Sequence, residues 1–304
     1  MAASQNSPDC APANLPSDRD YRPGPALYIV ATPIGNLEDV TFRAVRVLKE
    51  VDLIACEDTR QTQKLLNHYG ISSPKISYHQ HNEATRAAEL IDKIQAGASV
   101  ALVTDAGMPG ISDPGFRLIS LAIRQNLRVV PIPGASAFLS ALVASGLPTD
   151  AFSFHGFLPS RRGERQKVLE NFKNSRSTEI VYEAPHRIVE SLMEICEILG
   201  PARQVVIARE LTKLHEEFLR GSAAAILEEL NSRTGIKGEI TLLVRGAEED
   251  AQATTGSPAT LSITDRVRQI ESEKKVDQSL AIKIAAKERR ISKSEAYRQF
   301  QRNR

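Results

Sequence analysis

A chain of 304 residues that is 41% hydrophobic and 25% charged has room for one large or two ordinary domains, at about 100–200 residues each. Its three cysteines, Cys10, Cys56 and Cys196, are scattered, which excludes a disulfide framework and leaves no Cys/His cluster for a metal. There is no apolar leader and no run of about 20 apolar residues, so a soluble, cytoplasmic protein without a membrane partner is expected. The net charge of +2 is unevenly spread: residues 261–304 carry 12 Lys and Arg against 6 Asp and Glu, or +6, leaving 27 against 31, or −4, for residues 1–260. A basic end of this kind makes a nucleic-acid partner plausible.

Residues 1–25 hold five prolines and little that is large and apolar, which predicts a disordered tail. Order is expected from a buried strand at 26–31, followed by a tight loop through Pro33 and Gly35. Val40, Ala44, Val47 and Leu48 fall on one helical face, with Asp39 as candidate cap. A strand at 52–56 ends in Glu57-Asp58-Thr59-Arg60, and a helix over 61–69 stops at Gly70. A strand at 75–79 and a helix over 82–95 come next. The apolar run 100–103 then leads into TDAGMPGISDPG (104–115). A helix over 116–124, a strand over 128–132, the turn Pro133–Ser136 and a small-residue helix to Ser145 complete a parallel sheet with alternating helices. This first α/β domain spans 26–146.

A mixed second domain is expected over 147–246. Its strands are placed at 152–157, 178–182, 204–209, about 217–219 and 239–244, with helices ending at Phe172 and before Gly200 and one over 223–230. The Ala/Thr/Ser-rich stretch 247–260 reads as a linker. In 261–304, Ile263, Val267 and Ile270 space one helix, Leu280 and Ile284 a second, and Ser292 with Glu295 forms a capping box that opens a third. Three short helices with a basic surface suit either a nucleic-acid-binding module or an amphipathic dimerisation or docking element.

Glycines 107, 110 and 115 and prolines 109 and 114 within twelve residues, at a strand's carboxyl end, mark a ligand-binding loop. Glycine lets backbone approach a ligand, proline fixes it, and open α/β sheets bind ligands at that edge. In order along the chain stand ATPIGNLEDVTFRA (31–44), EDTR (57–60), the 104–115 loop, PGASA (133–137), YEAPHR (182–187), ARELTK (208–213) and GEITLL (238–243). Together they closely resemble the tetrapyrrole-methylase class of S-adenosylmethionine-dependent methyltransferases. Within it they are most similar to the small-subunit ribosomal RNA methyltransferase I group, which methylates a cytidine ribose 2′-OH. The resemblance covers residues 26–246 and extends to the helical tail; Met108, Phe116, Ala135 and His155 depart from its pattern. It implies two α/β domains with the cofactor in the cleft between them and a homodimer acting on the small ribosomal subunit and its 16S RNA. It agrees with the absence of GxGxxG after the first strand.

By the same resemblance, cofactor contacts are assigned to Pro33, Ile34 and Gly35, to Thr104, Asp105, Ala106 and Gly107, to Ile111, Ser112 and Asp113, and to Ala135, Ser136 and Ala137. No metal is called for. A ribose hydroxyl is a poor nucleophile at neutral pH and benefits from a general base. Strand ends offer Glu57, Asp58 and Lys213 as the leading candidates, with Glu183, His186 and Glu210 behind them; His79 and His81 read as surface or core histidines. RNA phosphates would be met by Arg60, by the cluster Arg161, Arg162 and Arg165, by Arg187, and by Arg289, Arg290 and Lys293 in the tail. The competing readings are a tetrapyrrole methyltransferase of the same fold, for which the basic appendage and Arg-rich loop have no use, and a non-catalytic RNA-binding protein.

Overall fold

A computed structural model describes residues 23–247, 262–289 and 291–302. Almost all of the expected tail and linker, together with Arg290, lie outside the described residues. The chain divides into two compact units, Met1–Gly246 and Ala247–Arg304.

The first sheet of the larger unit is built from β1 (Ala26–Val30), β2 (Leu53–Cys56), β3 (Lys75–Ser77), β4 (Ser99–Val103) and β5 (Val129–Ile132). All its pairs are parallel, in the order β3-β2-β4-β1-β5. Strands β1 and β4 are buried throughout because both faces are covered, the reason they read as unbroken apolar runs. Tyr28, Val30, Ala101 and Val103 pack under α1 (Phe42–Glu50) and α2 (Thr59–His68). Leu27, Ile29, Val100 and Leu102 pack under α3 (Glu83–Gln95) and α4 (Phe116–Arg124). Helix α1 starts later than its apolar spacing suggests. A 3-10 turn occupies Leu37–Asp39, and Thr41, not Asp39, is the cap, its Oγ1 accepting from Ala44 N at 3.1 Å.

The second sheet, in the order β6-β7-β10-β8-β9, comprises β6 (Phe152–Phe157), β7 (Thr178–Glu183), β8 (Gln204–Arg209), β9 (Glu217–Ser222) and β10 (Ile240–Val244). Only β6 and β7 run parallel; the other pairs are antiparallel. One face lies under α6 (Arg162–Phe172), α7 (Ile188–Leu199) and α8 (Ala223–Asn231). The other face is covered by α5 (Ala137–Ser145), whose Ala141 and Leu142 join Ile180, Val206, Ala208 and Leu243 in one cluster with Ile34. Helix α5 belongs to the first half of the chain, so it welds the two sheets together. Arg220 secures its end, donating to Ala144 O at 2.7 Å and Ser145 O at 3.3 Å.

The smaller unit is a three-helix cluster of α9 (Ile263–Lys274), α10 (Gln278–Glu288) and α11 (Lys293–Arg302). Ile263, Val267 and Ile270 are buried as their spacing predicts, and Ser292 Oγ accepts from Glu295 N at 3.2 Å. On α10 the inward face is Ala281, Ile282, Ala285 and Ala286, with Ile284 partly buried against the same cluster, while Leu280 is exposed. Arg266 holds Glu288 through two 2.9 Å bonds.

A cleft between two sheets as candidate active site

In the first sheet the connection from β1 runs toward β2 and the one from β4 toward β5, so these neighbours send their loops in opposite directions. That is where a parallel sheet opens a crevice at its carboxyl edge. The two loops are tied across it: Thr32 N donates to Gly107 O at 2.9 Å, Gly107 N returns to Thr32 O at 3.0 Å, and Thr32 Oγ1 donates to Thr104 O at 3.0 Å. Gly107 sits at φ +82°, a conformation glycine adopts freely.

Above this edge lies a cavity of about 350 Å³, within the usual range for small-molecule sites. Its lining brings together much of the expected cofactor set: Ile34, Ala106, Gly107, Ile111, Ser112, Asp113, Ser136 and Ala137. Pro33, Gly35, Thr104, Asp105 and Ala135 stand in the same loops but outside the lining. The facing wall comes from the second sheet, through Phe157, Tyr182, Glu183, Leu211 and the run Gly238–Thr241.

The carboxylates divide into those that face the cleft and those beside it. Asp113 faces it. Burial first, then the charges of Glu57 and Asp105, push its carboxyl up to about 7 against the pull of the Thr104 hydroxyl. Glu57, at the end of β2, is raised by burial and by Asp105, but does not line the cavity. Asp58 caps α2, accepting from Arg60 N at 2.7 Å, and that bond lowers its pKa; its own N–H donates to Asp105 at 3.2 Å. Lys213 pairs with Glu210 at 2.8 Å and Glu239 at 2.9 Å. Burial works to lower its pKa, yet the two carboxylates outweigh it and the net shift is upward. Lys213, expected as a candidate base, thus stands in a paired position outside the cavity lining.

The expected RNA-facing arginines also separate. Arg161 and Arg162 are exposed, paired with Glu164 and with Glu194 and Glu197 at the surface end of α6. Arg60 is exposed at the start of α2. Arg165 is fully buried, bonded to Glu194 through Nε at 2.7 Å and Nη2 at 2.9 Å and to Glu190 at 2.6 Å. The supposed loop 160–165 becomes the first turn of α6 and rotates Arg165 inward, so its assignment to RNA is corrected. Arg187 is engaged with Glu183 at 2.7 Å, whose side chain is fully buried and also accepts from Ser191 at 2.5 Å. In the smaller unit Lys293 is exposed, near Ser279, and Arg289 ends α10.

Residue-by-residue reading missed Met108, Phe138, Phe157, Tyr182, Gly238, Glu239 and Thr241 in the lining. Two signals were available: YEAPHR and GEITLL stood among the shared motifs, and both end or begin strands. Burial pushes the pKa of the Tyr182 hydroxyl up to about 12.

An α/β pair of sheets with a loop-lined cleft at the joint is a known architecture, and residues 26–227 match the Tetrapyrrole (Corrin/Porphyrin) Methylases; the chain belongs to this family. Among curated relatives, Ribosomal RNA small subunit methyltransferase I of Halalkalibacterium halodurans is 54% identical over 226 residues, covering 74% of this chain and 78% of the relative. The protein of that name from Bacillus subtilis is 44% identical over 272 residues, covering 89% and 92%. Solved structures share the fold at lower identity. The methyltransferase CobJ is 18% identical with a TM-score of 0.56, covering 73% of this chain and 94% of that one. Uroporphyrin-III C-methyltransferase from Thermus thermophilus, complexed with S-adenosyl homocysteine, is 20% identical with a TM-score of 0.51, covering 72% and 96%.

Proposed function

We propose that this protein is an S-adenosylmethionine-dependent methyltransferase that modifies the ribose 2′-OH of a cytidine in 16S ribosomal RNA, acting on the small ribosomal subunit as a cytoplasmic homodimer. The observation that carries the reading is 44–54% identity, over 74–93% of the chain, to relatives named for small-subunit ribosomal RNA methylation. The tetrapyrrole alternative has the broad family match over residues 26–227 and fold likeness at 13–20% identity behind it.

The cleft fits the donor by its chemistry. The N-terminus of α5 opens onto it through Ser136 and Ala137, and Ser136 makes no side-chain cap bond, so a carboxylate would find backbone N–H donors there. Asp113 and Glu239 offer negative charge for a sulfonium and an ammonium. Ile34, Met108, Phe138 and Leu211 offer apolar surface to a purine. When bound, S-adenosylmethionine supplies an electrophilic methyl carbon.

The protein's own part is alignment and proton removal. Tied loops on the first sheet fix one reactant, and orientation of this kind can supply about 7–11 kcal/mol of the barrier. Asp113 accepts the ribose hydroxyl proton at its carboxylate. It is the carboxylate on the first-sheet side that faces the cavity, and a pKa near the working pH suits a general base. Glu57 and Asp58 act behind it: Glu57 raises the basicity of Asp113, and Asp58 organises Asp105. Arg60, Arg161, Arg162, Arg289 and Lys293 hold phosphates. Methylation of subunits should therefore fall steeply with added salt.

The reading is tested by transfer of labelled methyl from S-adenosylmethionine to small subunits from a strain lacking this gene, with the RNA digested and its nucleosides resolved by mass. Label in 2′-O-methylcytidine is the expected result. Donor binding without transfer to RNA would move the acceptor to a small molecule, and absence of donor binding would sink the enzyme altogether. Light scattering at the mass of two chains checks the dimer.

A further inference from the structure

Strand β6 ends in a way that regular geometry does not explain. Along a strand, alternate residues face opposite sides, so Phe157 should share the side of His155 and Ser153, away from Phe154. His155 behaves as expected: its ring lies 4.8 Å from Phe172 of α6, and it pairs with Glu179. Phe157 does not follow it. The register with β7 shifts between Phe154, opposite Ile180, and Phe157, opposite Tyr182, so three residues are taken up on β6 against two on β7. This bulge brings Phe157 to the side of Phe154, and both rings meet Tyr182, at 5.4 Å and 4.9 Å. Bulges beside active sites commonly re-aim a side chain in this way.

The chain makes the bulge at Gly156, where φ is +68° and a Cβ would lie 3.0 Å from Ser112 Oγ in the cleft loop. Conformation and close approach both call for glycine there. The result is an aromatic ring left 60% exposed on the cavity lining, on an edge strand of the second sheet. Its neighbours are settled: Phe154 stacks on Phe138 at 4.4 Å, and Tyr182 meets Phe157 edge-on at 61°, which braces the ring without covering its face.

We infer that Phe157 is the stacking platform for the base of the acceptor nucleotide. The inference rests on the RNA reading proposed above. A ribose hydroxyl can enter a cleft this size only if its nucleotide is splayed out of the RNA, and an unstacked base then needs a face to replace its lost neighbours. Exposed aromatic rings beside cationic side chains are how proteins hold such bases. Arg161 and Arg162 follow Phe157 closely along the chain and are exposed, Arg161 paired with Glu164 and Arg162 with Glu194 and Glu197. The position of Phe157 favours the acceptor over the donor. It stands at the exposed rim of the second sheet, where a macromolecule's extruded base arrives, while the first-sheet loops and the α5 N-terminus line the opposite wall.

The test is methyl transfer to unmethylated small subunits by wild type, Phe157→Leu, Phe157→Gln and Phe157→Trp, with donor affinity measured separately by calorimetry. Loss of one base stack should raise KM for the RNA about 5- to 150-fold in the Leu and Gln variants. Donor Kd should stay within about twofold, and Phe157→Trp should return most of the loss, because any aromatic face serves. Thermal melting and donor binding of each variant report folding. Leu and Gln variants that match wild type on RNA would overturn the platform, as would a donor Kd that rises in step with KM, which would make Phe157 part of the donor's wall. If wild type itself transfers no methyl to RNA, the proposed function fails and not this inference alone.

Discussion

The two sheets build the same cleft by opposite means. In the first, every strand runs the same way, so the glycine- and proline-rich loops after β1, β4 and β5 converge at one edge. In the second, antiparallel pairing brings the end of β7, the start of β10 and the end of β8 together, with Ile240 opposite both Glu183 and Arg209. That edge offers Tyr182, Leu211 and Glu239 to the cavity, while the Glu183 side chain is buried against Arg187 and Ser191. The contrast teaches that a Gly/Pro loop advertises its purpose in the sequence, because backbone ligation needs those residue types. A side-chain wall does not, because its members come from separate motifs joined only by register.

If the first sheet supplies the chemistry and the second the support, the largest effect should come from Asp113. Asp113→Asn should lower kcat about 10²–10⁴-fold, measured by single-turnover methyl transfer at saturating donor. Wild-type kcat should rise with pH through an apparent pKa near 7, a value shared among the coupled carboxylates Asp113, Glu57 and Asp105, and the Asn variant should lose that limb. The same group has a stability signature. Its folded pKa of about 7 lies above the unfolded value, so the native state is the better proton binder and its stability declines as pH rises from about 4 to 7. Asp113→Asn should be more stable than wild type above pH 7 and gain nothing below pH 4 in denaturant titrations; the same gain at both would refute the burial argument.

On the second-sheet side, Arg165→Ala should cost up to about 3–5 kcal/mol, since Glu194 would lose its bidentate buried partner and keep only the exposed Arg162 at 3.3 Å. Urea midpoints would show this, and a variant as stable as wild type that lost RNA affinity instead would restore Arg165 to the RNA surface. At the seam between the halves, a Cβ on Gly35 would lie 2.6 Å from Lys213 Cγ, 2.7 Å from Thr212 Oγ1 and 3.0 Å from the Leu211 carbonyl. Gly35→Ala should therefore cost about 1–3 kcal/mol from overpacking and weaken donor binding, which calorimetry would register; unchanged affinity would detach this contact from the cleft. The smallest effects are the helix caps. Thr41→Ala and Ser222→Ala each remove a bond to a first-turn N–H, at 3.1 Å and 3.3 Å. Each should cost about 1 kcal/mol, with methyl transfer intact once folded.

Most of the fold was legible. The apolar runs of β1 and β4, α4 at Phe116–Arg124, and β6 and β8 fall where local pattern put them, because a strand covered on both faces or a helix with one apolar stripe leaves its mark residue by residue. The errors were local competitions: a 3-10 turn displaced the start of α1, and alanines, not Leu280, made the inward face of α10. In the candidate site, the loops 104–115 and 133–137 were readable from their glycines and prolines, while the carboxylate that faces the cavity was not singled out. Glu57 and Asp58 directly follow a strand while Asp113 lies within a loop, and only the course of the 104–115 loop turns Asp113 into the cavity.

The sequence by itself determined the alternation of strands and helices, the strand ends at which ligand loops stand, and through seven motifs in register the family to which the chain belongs. Tertiary structure alone decided that Arg165 turns inward to Glu194, that Lys213 is paired with both Glu210 and Glu239, and that a bulge at Gly156 swings Phe157 into the cleft. The physical reason is range. Hydrophobic periodicity and turn chemistry act between residues near in sequence, whereas burial, charge pairing and strand register are set by residues that meet only when the two sheets close on α5.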